Sequence, residues 1–157
     1  MELDQLMAGF ASRIGIAEPM RNAENAYALS FDGMDVVFSA EPDGAVLMLG
    51  AFAAKPAEGT DSLAEVFLSM NHLFAGTGGG TISLDVESGR YCLQRREGVD
   101  HLDIEGFLSL VEGFVNKLEQ LAALVKDFRP AVDRAADAAS KEKAELSGFG
   151  AAGFLQV

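Results

Sequence analysis

Apolar residues near the start of the chain recur at every third or fourth position. They are Leu3, Leu6, Met7, Phe10 and Ile14. Residues at this spacing share one face of an α-helix, so residues 2–15 are predicted to form an amphipathic helix. Gly15 and Pro19 mark its end, because neither residue favours continuing a helix.

From residue 24 the period shortens to two, which is the period of a β-strand. The alternating large residues are Tyr27, Leu29, Phe31, Met34, Val36 and Phe38. Asp32-Gly33 divides them into two runs and is a strong signal for a two-residue hairpin. A second turn at 41–44 leads into AVLMLGAF, which is apolar at nearly every position. This third strand is therefore predicted to lie in the centre of the sheet with both faces covered.

The second half of the chain predicts a helix, two strands and a long helix. Ser62 and Glu65 form a capping-box pattern, and the helix that they open ends at Gly76. The side chains of this helix predicted to face inward are Leu63, Val66, Phe67, Met70, Leu73 and Phe74. Strands follow at 81–85 and 90–96, and Asp103 caps a third helix that runs to about Phe128. Its apolar stripe is wider than one buried face needs, so part of it is expected to contact another chain or the tail.

The predicted order α-β-β-β-α-β-β-α indicates an α+β fold in which helices pack on an antiparallel sheet. We assign residues 1–128 to this domain and residues 129–157 to a C-terminal extension, Ala-rich and then containing Gly and Phe. The four basic and four acidic residues of the extension cancel, so the domain carries the whole net charge of −12.

This charge comes from 24 acidic and 12 basic residues and argues against binding to nucleic acid or to anionic lipid. It either serves solubility or protects an apolar surface and steers a basic partner. The start of the chain has no basic region before an apolar run, and no stretch approaches the roughly 20 residues of a membrane span. Cys92 is the only cysteine, which excludes an intramolecular disulfide and fits a reducing cytosol.

No set of residues has the pattern of an active site. The glycines at 76–80 lack the Lys-Ser/Thr of a phosphate loop, and they follow a helix instead of preceding one. His72 and His101 lack a metal-ligand spacing, and the carboxylates near turns and helix starts are placed as caps. We therefore predict no enzyme activity, no metal and no cofactor.

The segment around the glycines carries a family resemblance. The helix end LFAGTGGG, the strand TISLD, an ESG turn and the strand YCLQRR precede the long last helix. The matching positions are Gly78, Gly79, Leu84, Asp85, Gly89, Leu93 and Gln94. Together with the element order, size and acidity of residues 1–128, this pattern resembles the class I type III secretion chaperones, the Tir chaperone (CesT) family. The resemblance implies a bacterial, cytoplasmic homodimer that binds the N-terminal segment of a secreted effector in extended form and keeps it secretion-competent.

The resemblance also implies two contact surfaces. Effector binding, through apolar patches and an added strand, would involve the first helix and first three strands, with candidates Leu3, Leu6, Met7, Phe10, Val37 and Leu47. The dimer would form around the second helix and the strands after it, with candidates Val66, Phe67, Met70, Phe74, Ile82, Leu84 and Leu93.

Two other function classes stay open: a regulatory or sensory protein-binding module of the same fold, and a small-molecule-binding protein. Chaperones of this family end near the third helix, and the extension continues past that point. Its apolar residues Phe149, Phe154 and Leu155 are expected to contact an apolar groove of their own or a neighbouring subunit.

Overall fold

A computed structural model describes residues 2–58 and 60–129. The elements are α1 (Leu3–Ile14), β1 (Tyr27–Phe31), β2 (Met34–Ala40), β3 (Ala45–Ala54), α2 (Thr60–Asn71), a short 3₁₀ turn (His72–Phe74), β4 (Thr81–Asp85), β5 (Arg90–Gly98) and α3 (Ile104–Asp127). The predicted order is confirmed, with the 3₁₀ turn as an addition. Residues 130–157, including Phe149, Phe154 and Leu155, lie outside the described residues, so the predicted domain boundary stays a prediction.

The five strands form one antiparallel sheet in the order β1-β2-β3-β5-β4. Asp32 and Gly33 have φ values of 49° and 84°. Positive φ at both central residues is the signature of a type I′ turn, whose twist matches that of the flanking strands. The predicted hairpin and the central position of β3 are therefore confirmed.

The core lies between one face of the sheet and the helices α1 and α3. Phe107 of α3 contacts Phe38 of β2 and Phe10 of α1, with ring centroids 6.2 and 5.9 Å apart. A second aromatic cluster joins Phe67 of α2 to Tyr91 of β5, with centroids 4.8 Å apart. The Asp103 carboxylate accepts a 2.8 Å hydrogen bond from the Gly106 amide, which confirms the predicted cap of α3.

The opposite face of the sheet is largely uncovered. Val37, Leu47 and Ala51 are half-buried there, and Leu49 is 36% exposed. We call these four residues the open sheet face. The prediction that both faces of β3 are covered is wrong for the single chain, because α1 and α3 both pack on the same side.

Both ends of α2 differ from their predictions. The helix begins at Thr60, so Ser62 lies inside it and the predicted capping box is wrong. Leu73 and Phe74, expected to face inward, are 82% and 54% exposed. Their φ values of 51° and 57° are left-handed, so the backbone leaves the helix before either side chain can reach the core.

Candidate protein-binding surfaces

An apolar groove lies between α1, the β1–β2 hairpin and α3. Its cavity volume is about 360 Å³, and its apolar lining consists of Phe10, Ile14, Phe31, Leu108, Val111 and Val115. Phe10 and Val111 are buried and form its floor, whereas Ile14 is 44% exposed. Glu112 and Asn116 also line it. We call this cavity the α1–α3 groove.

The two helices that form the walls of the groove are held together at one end. A Cβ atom on Gly9 of α1 would lie 2.2 Å from Ile104 Cδ1, so the glycine permits a close approach to the start of α3. Arg13 and Glu105 add an ion pair between the same two helices. The walls are therefore set by packing that also belongs to the core.

A polar cluster fixes the start of β1 relative to α1. The Asp4 carboxylate accepts hydrogen bonds from the Tyr27 hydroxyl at 2.8 Å and from Arg21 Nε at 3.0 Å. The Arg21 guanidinium also lies 5.1 Å from the centroid of the Tyr27 ring. The Tyr27 hydrogen bond, followed by that from Arg21, lowers the pKa of Asp4 below its usual range. The loop between α1 and β1 is thereby held against the sheet.

The free edge of β1 is open to another strand. Phe31 and Met34 flank the two-residue turn and therefore form a hydrogen-bonded pair, as do the residues at every second position along β1. By this alternation, the backbone groups of Ala28 and Ser30 point out of the sheet. The Asn22 side chain accepts a 3.0 Å hydrogen bond from the Ala26 amide, just before β1 begins. We call Ala28 and Ser30 the β1 edge.

The opposite edge of the sheet, on β4, is covered at its start. Asn71 Nδ2 donates to the Ile82 carbonyl at 3.0 Å, and the Ile82 amide donates to Asn71 Oδ1 at 2.8 Å. The buried Thr77 hydroxyl donates to the Gly80 carbonyl at 2.6 Å, and the Gly80 amide donates to the Thr77 carbonyl. Edge strands covered in this way do not pair with other chains. An added strand therefore fits the β1 edge better than β4.

The candidate effector-binding residues fall into three groups. Leu3, Leu6 and Met7 are buried in the core, whereas Phe10 lies on the floor of the α1–α3 groove. Val37 and Leu47 are on the open sheet face. The other apolar groove residues were not among the candidates, because they come from three separate elements and no local pattern joins them. They are Ile14, Phe31, Leu108, Val111 and Val115.

The candidate dimer residues also divide by exposure. Phe67, Ile82 and Leu93 are buried within the chain, and Val66 and Met70 are half-buried. Phe74 and Leu84 are exposed, as are Leu68 and Leu73, which the dimer prediction did not include. These last four residues form the α2–β4 patch. Phe74 also lines a depression of about 400 Å³ together with Leu47 and Arg96.

The described residues include few groups suited to catalysis or metal binding. Nowhere in 2–58 and 60–129 do three His, Cys, Asp or Glu side chains meet as a metal site. Burial is the main cause that raises the pKa of the Cys92 thiol, so the thiol stays protonated at neutral pH. None of the described helices is long and apolar enough to cross a membrane.

The sequence profile of the Tir chaperone protein (CesT) family matches residues 5–122, so the chain belongs to this family. The resemblance seen in the sequence is thus confirmed. No curated protein sequence matches the chain.

Solved structures of secretion chaperones share the fold. A chain of the ExsC–ExsE complex aligns with a TM-score of 0.68 at 20% identity, covering 79% of this chain and 96% of that one. A chain of the HopA1–SchA chaperone–effector complex gives 0.63 at 13% identity, with coverages of 76% and 91%. The Yersinia pestis type III secretion chaperone SycH, in complex with a YscM2 fragment, gives 0.61 at 16% identity, with coverages of 75% and 98%.

The Asp4 cluster predicts a pH-dependent contribution to stability. A carboxyl whose pKa is lowered on folding stabilises the protein above its unfolded pKa, and this contribution is lost as the pH falls through the folded pKa. Asp4→Asn should therefore lower the free energy of unfolding at pH 7, and its difference from wild type should shrink below about pH 4. Urea unfolding across pH 3–7 measures this. The control is Asp35→Asn, at an exposed position of β2. A difference for Asp4→Asn that stays constant with pH would contradict the assignment.

Proposed function

We propose that this protein is a type III secretion chaperone that binds the N-terminal segment of a secreted effector in extended form. The observation that carries the proposal is the α1–α3 groove beside the open β1 edge, in a chain of the Tir chaperone (CesT) family. The groove would hold apolar side chains of the effector. The β1 edge would hold its backbone as an added strand.

The chemistry of the groove favours a peptide over a small polar molecule. Its lining is almost entirely apolar, and a small-molecule site normally adds convergent polar groups that fix the ligand. Burial of one large apolar side chain stabilises a complex by about 1.5–3 kcal/mol before ordering costs. A cavity of about 360 Å³ has room for only a few such side chains, so affinity would come from several weak contacts along the segment.

The charge of the chain suggests the character of that segment. Residues 1–128 carry a net charge of −12. A field of this sign raises the association rate of basic segments and slows that of acidic ones. We infer an effector segment in which apolar residues are separated by basic or neutral ones. We also infer that the protein acts in the cytoplasm and catalyses no reaction, consistent with its buried, protonated Cys92 thiol.

Val115→Asp tests the role of the groove. Val115 is half-buried in the lining, so a carboxylate there would be desolvated by any apolar side chain that enters. We expect the affinity for the effector to fall at least about tenfold, a loss of roughly 1.4 kcal/mol. Co-expression with neighbouring open reading frames identifies the effector, and titration calorimetry measures its affinity.

The matched control for this experiment is Val86→Asp, at an exposed position in the turn between β4 and β5. Both variants should unfold at temperatures close to that of wild type. Equal affinities for wild type and Val115→Asp would argue that the effector binds elsewhere.

Ser30→Pro tests the β1 edge. Proline removes an amide that points out of the sheet, so the pairing of β1 with β2 should survive and only an added strand should be lost. We expect unchanged thermal stability and effector binding weakened several-fold. Leu29→Pro is the comparison, because its amide lies in the β1–β2 ladder and its loss should destabilise the fold. Full affinity of the Ser30→Pro variant would exclude strand addition at β1.

We further propose that the chain forms a homodimer through the α2–β4 patch. The patch exposes large apolar side chains on elements that pack on one another, and Leu73 and Phe74 hold a backbone conformation that disfavours bulky residues. Conformations of this kind persist at contact sites because surrounding interactions stabilise them. A second copy of the chain, related by a two-fold axis, would cover the same patch on both subunits.

The dimer prediction is tested with Leu68→Glu combined with Phe74→Glu. Wild type should sediment as a particle of twice 16.6 kDa, and the double variant as a monomer, because two charges cannot be buried in an apolar contact. Met20→Glu is the control, since Met20 is exposed in the loop after α1. A wild-type monomer at micromolar concentration, or a double variant that remains dimeric, would exclude this interface.

A further inference from the structure

The α1–α3 groove leaves apolar side chains exposed within the described part of the chain. Ile14, on α1, is 44% exposed, and Phe31, Leu108 and Val115 are only half-buried. Five of the eight lining residues belong to α3. The C-terminal extension continues from α3, the helix that contributes most of this lining.

That polypeptide has a suitable composition. Residues 147–157 read SGFGAAGFLQV and contain no charged side chain. Their large apolar residues are Phe149, Phe154, Leu155 and Val157. Glycines separate the two phenylalanines, and a backbone without Cβ atoms can approach a groove closely. A neutral segment is also not repelled by the charge of −12 on residues 1–128.

The connecting chain has the right length. Along α3, Val115 and Asp127 are separated by 12 residues, or about 18 Å at 1.5 Å per residue. Fully extended, the 20 residues from Arg129 to Phe149 reach about 70 Å, so they can span this distance. A segment tethered by a short connector that spans the required distance has an effective local concentration on the order of 1 mM.

We propose that residues 149–157 bind in the α1–α3 groove of their own chain. A segment with an intrinsic Kd of only about 0.1 mM would fill the groove about 90% of the time at this effective concentration. The same segment on a chain outside the complex, present at micromolar concentration, would fill it rarely, and the disulfide test below separates the chain's own segment from that of the partner in the proposed homodimer. The extension is thus an intramolecular occupant of the groove.

This occupancy has a consequence that rests on the proposed function. An effector must displace the segment before its side chains enter the groove. A groove that is about 90% occupied lowers the apparent affinity of a competing ligand about tenfold. The extension therefore keeps the apolar groove covered until an effector of sufficient affinity arrives.

Disulfide trapping in the full-length chain tests the contact directly. Asn116→Cys, at an exposed position lining the groove, is combined with Gln156→Cys, which leaves the apolar residues of the extension unchanged. The comparison pair is Glu65→Cys with Gln156→Cys, since Glu65 is exposed on α2. The 27 residues from Arg129 to Gln156 reach about 90 Å when fully extended, so the cysteine of a free extension would reach both sites. Cys92 is kept, because it is buried.

We expect the groove pair to form an intramolecular disulfide at least about tenfold faster than the comparison pair. Adding Phe154→Asp and Leu155→Asp should bring the two rates together, whereas Ala138→Asp with Ala139→Asp, which adds the same charge to the connector, should not. Equal rates for the two pairs, or a disulfide that joins two chains, would overturn the proposal.

Effector affinity provides a separate measurement. With the apolar residues of the extension replaced by Phe154→Asp and Leu155→Asp, the effector should bind about tenfold more tightly than it binds wild type. Groove-specific trapping without this gain would show that the extension binds the groove and that the effector does not use it. The proposed role of the groove in effector binding would then fail while the intramolecular contact stands.

Discussion

The contact of α3 with β3 at Gly50 is the constraint on which the rest of the structure depends. A Cβ atom at position 50 would lie 2.5 Å from Leu118 Cδ1, and Leu118 is fully buried. A glycine in the centre of the sheet therefore sets the depth at which the longest helix lies. Because β3 pairs with both β2 and β5, this one contact positions α3 over the middle of the sheet. Phe107 of α3 in turn packs against Phe10 and so positions α1.

One-sided packing explains where the candidate binding surfaces lie. Both α1 and α3 lie on one face of the sheet, so the other face stays uncovered and the wide apolar stripe of α3 is only partly used. The two edges of the sheet differ in whether their outward-facing backbone groups already have hydrogen-bond partners within the chain. Asn71 hydrogen-bonds to the backbone of Ile82 on β4, and Thr77 to that of Gly80 just before this strand. The backbone groups of Ala28 and Ser30 on β1 point outward instead. This difference favours strand addition at β1 over β4.

Local sequence patterns predicted the features that depend on interactions between residues close in the sequence. Asp32-Gly33 predicted the hairpin and Asp103 predicted the cap of α3, because each acts on its own backbone. The helical period continues through Leu73 and Phe74, yet α2 ends at Asn71, whose amide pairs with Ile82 eleven residues further on. Periodicity also cannot separate a core stripe from a groove wall. Leu6 and Phe10 belong to the same stripe, but only Phe10 meets the hairpin and α3 in a cavity.

The glycines at 76–80 resemble those of a phosphate-binding loop in number, but they serve packing and turning of the chain instead. A Cβ at Gly76 would lie 2.7 Å from Met70 Cβ, and one at Gly80 would lie 2.9 Å from the Gln94 carbonyl oxygen. Gly78 and Gly79 take left-handed φ values that turn the chain into β4. The net charge of the chain also affects which segments reach the groove. A basic effector segment is attracted by the net charge of −12, while the neutral residues 147–157 gain nothing from it. Electrostatic attraction would therefore favour the proposed basic effector segment over the extension in competition for the groove.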